Sequence, residues 1–325
     1  MAGTRTAIVT GASGFIGSWV RNALEGEGFQ VRALRRRRSP RASSAFEVDY
    51  EAPDTVFAAF EEARPEVVVH LAGTTKGVTL RDFRRANVVP TEAVVQAAEQ
   101  VGVRRFVSIS SLVAFGPSSP ETPHRDGVDA QPVEFYGRTK REAEMRVEAS
   151  GLPYVILRPG GVYGPGDIDY FNLFKSADRG YNLFFGNRER LFSKIYIDDM
   201  VGFVLAALKT PQTRTGWFVC DGEPVSWGEF QGEIARQSGR RVRELHLPEF
   251  MVGVAARAGE ALSTLDRKPR LFNRQKAIMG RQAAWTCDSS NAVNSLAYVP
   301  KVKLSEGVRR SFAWYREHGW LPKHP

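Results

Sequence analysis

Thr6-Ala7-Ile8-Val9-Thr10-Gly11-Ala12-Ser13-Gly14-Phe15-Ile16-Gly17 is the stretch from which the rest of the chain is read. Thr6 to Val9 is apolar, β-branched and too short for a helix, so it reads as a buried strand. Beyond the glycines, Phe15, Trp19, Val20 and Leu24 fall on one helical stripe. Gly11, Ser13, Gly14 and Gly17 therefore lie where a strand ends and a helix begins. A pyrophosphate binds at such a junction, because glycines admit the anion close to backbone and the first N–H groups of the helix point at it. The G-x-x-G-x-x-G spacing differs from the G-x-G-x-x-G dinucleotide fingerprint, and a purely structural turn would carry the same glycines.

Moving outward, residues 28–34 read as a second strand that ends at Arg35. At this place an acid would meet a free ribose 2′-hydroxyl and an arginine a 2′-phosphate. Four arginines stand in a row, Arg35 to Arg38, and guanidinium grips phosphate with two parallel bonds. The expectation is a 2′-phosphate contact by Arg35 with help from Arg36, with Arg37 and Arg38 solvated. Asp49, beside Tyr50 in a short strand or turn, can accept from an adenine amino group. Residues 65–70 form a continuous apolar run, hence a strand buried on both faces. It leads into Leu71-Ala72-Gly73, which lets a ligand lie against backbone, and its last residue, His70, reads as packed rather than catalytic.

Residues 82–101 read as helical with an interruption at Pro90, and residues 104–109 as a strand running into Ser110 and Ser111. The carboxyl end of a strand is where open α/β sheets bind ligands. A long loop over 116–132, a helix over 135–150 and a strand over 152–157 follow. Strands and helices alternate, so the fold class is α/β with a doubly wound parallel sheet. The expected division is a cofactor domain over 1–162, with returns near 190–220, and a smaller interleaved substrate region over 163–325. Phe171, Phe174, Phe184 and Phe185 crowd the start of that region. Residues 247–265 form an apolar helical stretch that suits a cover over the pocket better than a membrane contact.

The 325 residues carry a net charge of +9, which raises nucleic acid as a partner. Much of the basic excess is local to Arg35–Arg38 and Arg41, and no nucleic-acid motif accompanies it. No leader or apolar run of membrane length is visible. Cys220 and Cys287 form neither a disulfide scaffold nor a metal-ligand cluster. A cytoplasmic location, no metal and no nucleic-acid partner are expected.

Tyr136 and Lys140 are four apart and share a helix face. A phenol has a pKa of ~10, and a neighbouring ammonium favours its phenolate. Such a pair beside a nicotinamide can pass a proton to a carbonyl or take one from an alcohol, and Ser111 can hold the substrate oxygen. Together these stretches resemble the extended short-chain dehydrogenase/reductases, the NAD(P)-dependent epimerase/dehydratase-like group. The resemblance rests on Thr10 to Gly17, Val69 to Gly73, Asn87 to Thr91, Ser110-Ser111 with Phe115-Gly116, Tyr136 to Lys140, Arg158 to Gly166 and Tyr196 to Met200. It implies a Rossmann-type fold and a cofactor on Gly11, Ser13, Gly14, Phe15, Ile16, Gly17, Leu71, Ala72 and Gly73. It further implies Tyr136 as acid/base, Lys140 on the nicotinamide ribose, Ser111 on the substrate oxygen and Asn87 supporting the cofactor loop. Pro159, Gly160 and Val162 would meet the nicotinamide, and a homodimer would form through the helices over 82–101 and 136–150.

Leu112 and Val113 stand where nucleotide-sugar dehydratases of the group carry Asp-Glu. Phe192 stands where its epimerases carry a diphosphate-binding arginine, with Arg188 and Arg190 close by. The segment from Trp285 to Tyr315 resembles the dihydroflavonol reductase and 3β-hydroxysteroid dehydrogenase branch. The expectation is an NADP (NADPH)-dependent oxidoreductase that interconverts a ketone or aldehyde and an alcohol on a fairly apolar small molecule. The alternatives are an NAD(P)-dependent nucleotide-sugar epimerase and a cofactor-binding regulator without turnover.

Overall fold

The computed structural model describes residues 5–36, 45–248 and 274–322. Its centre is a seven-stranded parallel sheet of β1 (Thr6–Thr10), β2 (Gln30–Arg36), β3 (Ala45–Val48), β4 (Val67–His70), β5 (Arg105–Ile109), β6 (Tyr154–Pro159) and β11 (Thr215–Val219). The spatial order is β3-β2-β1-β4-β5-β6-β11. The order reverses between β1 and β4, which opens a crevice at the carboxyl ends of these strands, the place where such sheets bind ligands.

Strand periodicity sends alternate side chains to opposite faces. Ile8, Val68, Phe106 and Ile156 pack on one side with α2 (Pro53–Ala63), α4 (Val89–Val101) and α5 (Phe135–Glu148). Ala7, Val9, Val69, Val107 and Leu157 pack on the other with α1 (Phe15–Gly26) and α7 (Ile197–Lys209). The helical run expected over 82–101 is two helices, α3 (Leu80–Asn87) and α4, with Pro90 in the first turn of α4. Proline is tolerated there because that N–H has no intrahelical partner. A Thr79–Asp82 capping box starts α3 earlier than the apolar pattern indicates.

Beyond β6 the chain builds a second region from short pairings. β7 (Gly161–Tyr163) pairs with β10 (Lys194–Tyr196), and β8 (Tyr181–Phe185) with β13 (Arg243–Leu247). β9 (Leu191–Phe192) lies between β12 (Val225–Ser226) and β14 (Ala284–Trp285). α6 (Phe171–Asp178), α8 (Trp227–Gln237), α9 (Arg274–Arg281), α10 (Ser290–Leu296) and α11 (Leu304–Glu317) complete it. α7 packs on the large sheet and β11 joins its edge beside β6, so the chain returns to the first region after β10. Leu247 closes a strand rather than opening a helix. The rest of the apolar stretch, 249–265, lies outside the described residues, as do Arg37, Arg38 and Arg41. Among the described residues no helix is long and apolar enough to cross a membrane.

Candidate active site

The first side of the crevice is the glycine turn. Gly11 has a φ of +67°, a conformation glycine adopts without strain. A Cβ on Gly17 would lie 2.1 Å from the Gly11 carbonyl oxygen, so α1 seats directly against the end of β1. Gly14 sits at the N-cap, followed by Phe15 and Ile16, and no side chain caps the helix. The neighbouring loop is tied to the turn by Thr10, a residue the motif reading did not single out. Its Oγ1 accepts from the N–H groups of Leu71 (3.0 Å) and Ala72 (2.9 Å) and lies 2.9 Å from His70 Nδ1. His70 Nε2 lies 2.9 Å from Thr91 Oγ1, whose proton goes to the Asn87 carbonyl. With both acceptor sites of Thr10 filled, its proton goes to Nδ1, and the imidazole is the neutral Nε2–H tautomer. Burial, aided by the Lys140 charge, pushes His70 down to about 3. His70 is a structural connector, as expected.

Asn87 ties that loop to the next element. Its Oδ1 accepts from Thr74 N–H (2.7 Å), its Nδ2 donates to Thr139 Oγ1 of α5 (2.9 Å), and its Oδ1 would be 2.9 Å from a Cβ on Gly73. The same helix carries Tyr136 and Lys140. Its start is fixed by Glu134, a buried carboxylate that accepts from the N–H groups of Tyr136 and Gly137. A Cβ on Gly137 would lie 2.3 Å from the Val113 carbonyl oxygen, so only glycine lets α5 approach the 3-10 turn Leu112–Phe115 this closely. That approach brings Tyr136 beside Ser111, which hydrogen-bonds its hydroxyl. Leu112 and Val113 themselves are buried.

Lys140 is buried and donates to the Ile109 carbonyl at the end of β5 (2.6 Å). Burial, partly offset by Glu144, lowers its ammonium to about 8. The Tyr136 phenol is pushed up to about 12, first by burial and then by Glu134 and Asp169, against the Ser111 hydrogen bond. Burial of the phenolate thus acts in the direction opposite to the lowering expected of a neighbouring ammonium. At neutral pH such a phenol holds its proton and can donate it.

At the adenosine end the two leading arginines part. Arg35 pairs with Glu47 of β3 at 2.6 Å. Arg36, on the opposite face of the strand, lines a cavity of about 950 Å³ with Asp49, Tyr50, Glu51 and Arg85. Arg85 comes from α3 and pairs with Glu51. Its position on a helix far from the arginine run hid it from sequence reading. A glycine cradle closed to side chains, a buried lysine at the strand ends and this cavity with two guanidinium groups fit a dinucleotide cofactor.

On the other side of the crevice Pro159 ends β6, and Gly160 leads into β7 with Val162. A Cβ on Gly161 would lie 2.1 Å from the Tyr170 hydroxyl. Tyr170 stacks on Phe192 and Trp227, and Phe192 on Trp227 at 4.4 Å between centroids. Three of the phenylalanines that crowd 171–185 pack against the protein itself. Phe174 packs on Phe312 and Tyr315, Phe171 on Tyr315 and Trp320, and Phe184 on His246. Helical and strand periodicity in α6 and β8 turns these rings into the protein, and the aromatic wall comes instead from three separate segments. Arg188 is engaged with Glu244, and Arg190 donates to the Gly280 carbonyl.

The chain matches a ceramide reductase of Caulobacter vibrioides at 30% identity over 323 residues, covering 97% of this chain and 96% of that protein. It matches a decarboxylating sterol-4-alpha-carboxylate 3-dehydrogenase of Schizosaccharomyces pombe at 26% identity over 276 residues, 78% and 79% of the two chains. Its fold is that of the UDP-glucose 4-epimerase of Thermotoga maritima, with a TM-score of 0.80, 23% identity, and 96% and 99% of the two chains covered. Residues 7–218 match the sequence profile of the NAD dependent epimerase/dehydratase family. With that match running from the first strand through β11, this chain belongs to the NAD-dependent epimerase/dehydratase family.

Proposed function

We propose that the protein is an NADPH-dependent reductase of ketones or aldehydes on bulky apolar molecules. What supports this reading is the placement of Tyr136 beside Ser111 at the strand ends, where burial favours the protonated phenol, together with the aromatic cluster of Tyr170, Phe192 and Trp227 at the start of the second region. The bound nicotinamide would supply a hydride to the carbonyl carbon. Ser111 would hold the carbonyl oxygen, Tyr136 would give it a proton, and Lys140 would bind the nicotinamide ribose and hold positive charge near the phenol. Gly11, Ser13, Gly14, Phe15, Ile16 and Gly17 would seat the pyrophosphate, with Leu71, Ala72 and Gly73 against the adjoining ribose. Pro159, Gly160 and Val162 would meet the nicotinamide. Asp49 and Tyr50 would border the adenine.

Arg36, rather than Arg35, would take the leading part on the 2′-phosphate, with Arg85 opposite. The cofactor would rest on 1–162 and 190–220, and the substrate on the remainder of 163–325. The ceramide reductase and sterol dehydrogenase relatives point to the same apolar substrate class. A diphosphate sugar would bring two charges that need cationic partners, and Phe192 with the engaged Arg188 and Arg190 provide few. Cys220 and Cys287 are free thiols, which suits a cytoplasmic location. A homodimer through α3 to α5 belongs to the same reading, on a face that carries the intrachain pairs Arg84–Glu142 and Arg146–Glu92. The test is a substrate panel read by NADPH absorbance and product chromatography. Reduction of long-chain or polycyclic ketones with inert UDP- and GDP-sugars is expected. Epimerised nucleotide sugar with an inert ketone panel would overturn the reading.

A further inference from the structure

Tyr170 is placed with unusual care for a surface-loop residue. The turn that precedes it is pinned by Asp167, whose carboxylate accepts from the N–H groups of Asp169 (2.8 Å) and Tyr170 (2.9 Å). From α11, the Tyr315 hydroxyl donates to the carbonyls of Gly164 and Asp167, both at 3.1 Å. The ring is held by its stack with Phe192 and Trp227 and an edge contact to Phe230 at 5.4 Å. Together these aim the hydroxyl at the backbone of Gly161, where it fills the space a side chain on β7 would take.

The Tyr315 hydroxyl is satisfied by two carbonyls and that of Tyr298 by Asp199 at 2.9 Å, whereas the Tyr163 hydroxyl is sealed in the core without a partner among the described residues. Half-buried Tyr170 has no hydrogen-bond partner for its hydroxyl among the described residues. Unlike the Tyr163 hydroxyl, it is not among the sealed-off polar atoms, so it stays open to a hydrogen-bonding group from outside the protein. Gly161 opens β7 two residues after β6 ends at Pro159, and β6 lies beside Ser110, whose N–H donates to the Leu157 carbonyl at 2.8 Å. Asp169, next to Tyr170, is close enough to Tyr136 to act on its phenol and reaches across to Lys76 at 3.7 Å. The free hydroxyl therefore borders the same crevice as Ser111 and Tyr136.

We propose that the Tyr170 hydroxyl recognises a neutral hydrogen-bonding oxygen beside the reacting carbonyl, so that the protein selects ketones bearing an adjacent hydroxyl or amide group over plain ketones. This deepens the reductase reading and rests on it. Burial and the carboxylates of Asp167 and Asp169 push the Tyr170 phenol up, so it remains a donor and its partner is an acceptor. The same carboxylates disfavour an anionic substituent. Phe192 and Trp227 then receive the hydrocarbon that continues from the recognised group.

The test compares kcat/KM for a long-chain methyl ketone and for the same chain with a hydroxyl on the carbon beside the carbonyl. Wild type should prefer the hydroxyketone, and Tyr170→Phe, which keeps the stack, should cut that preference about 10-fold, the value of one hydrogen bond. Gly161→Ala, which forces the Tyr170 hydroxyl away, should move the preference in the same direction. Thermal melting and NADPH titration of both variants establish that they fold. No preference in wild type, or equal losses on both ketones in Tyr170→Phe, overturns the proposal. Should wild type reduce neither ketone, the reductase reading fails, and the Tyr170 role is read by tryptophan-fluorescence titration of the hydroxyketone into the NADP complex. A tenfold weaker Kd in Tyr170→Phe sustains it there, and equal Kd values contradict it.

Discussion

Two residues show how position, rather than type, sets the role of a charged or titratable side chain. Arg35 and Arg36 are adjacent, yet strand alternation pairs Arg35 with Glu47 at the edge of the cavity and makes Arg36 part of the cavity lining. A hydrogen bond to a charged group contributes ~1.5–3 kcal/mol. Arg36→Ala should therefore weaken NADPH binding by about 10- to 100-fold with little change for NADH, and Arg35→Ala should do less; isothermal titration with both cofactors checks this. His70 is the second case. Its folded-state value of about 3 lies below the ordinary 6.5. Between those values the unfolded chain binds a proton that the folded chain refuses, so stability falls as pH falls through this window. At pH ~5 the loss from this one group is ~2 kcal/mol relative to neutral pH. Urea unfolding at the two pH values should show that loss in wild type and a smaller one in His70→Asn.

At the level of elements, α5 is the part on which the site depends. Its first turn is held by a single buried carboxylate, Glu134, and its approach to the 3-10 turn by Gly137. Removing an N-cap costs ~0.5–2 kcal/mol, so Glu134→Ala should lower stability by about that amount in thermal unfolding. It should also lower kcat more than NADPH affinity, because Tyr136 is the residue whose N–H the cap holds. β1, the glycine turn, α1, β4, β5 and β6 are legible in the sequence because each is specified locally, by an apolar run, a punctuating glycine or a helical stripe. The placement of Ser111, Tyr136 and Lys140 on one side of the crevice follows from that alternation. β8, β9, β12, β13 and β14 are not legible in this way. They are two to five residues long and exist through partners far away in the chain, as in the pairing of Leu245 with Leu183. For the same reason the aromatic wall cannot be read from spacing: Tyr170, Phe192 and Trp227 come from separate segments. Arg85 is hidden likewise, because its helix meets the arginine strand only after folding.

Over the whole molecule, the proposed site joins a glycine turn that excludes side chains, the Ser111, Tyr136 and Lys140 set proposed for acid–base work, and an aromatic wall. The first belongs to the large sheet and the last to the interleaved region, and α5 stands between them. The proposed reading is net reduction of a carbonyl rather than a transient oxidation returned to the same substrate. The most direct measurement supplies NADPH deuterated on the transferring face of the nicotinamide together with a bulky apolar ketone, and reads the product by mass spectrometry. The account predicts one deuterium on the new carbinol carbon, stoichiometric loss of NADPH, and a rate lowered ~10²–10⁴-fold in Tyr136→Phe with cofactor binding retained. Unlabelled ketone recovered beside an epimerised nucleotide sugar, with no net loss of NADPH, would contradict it.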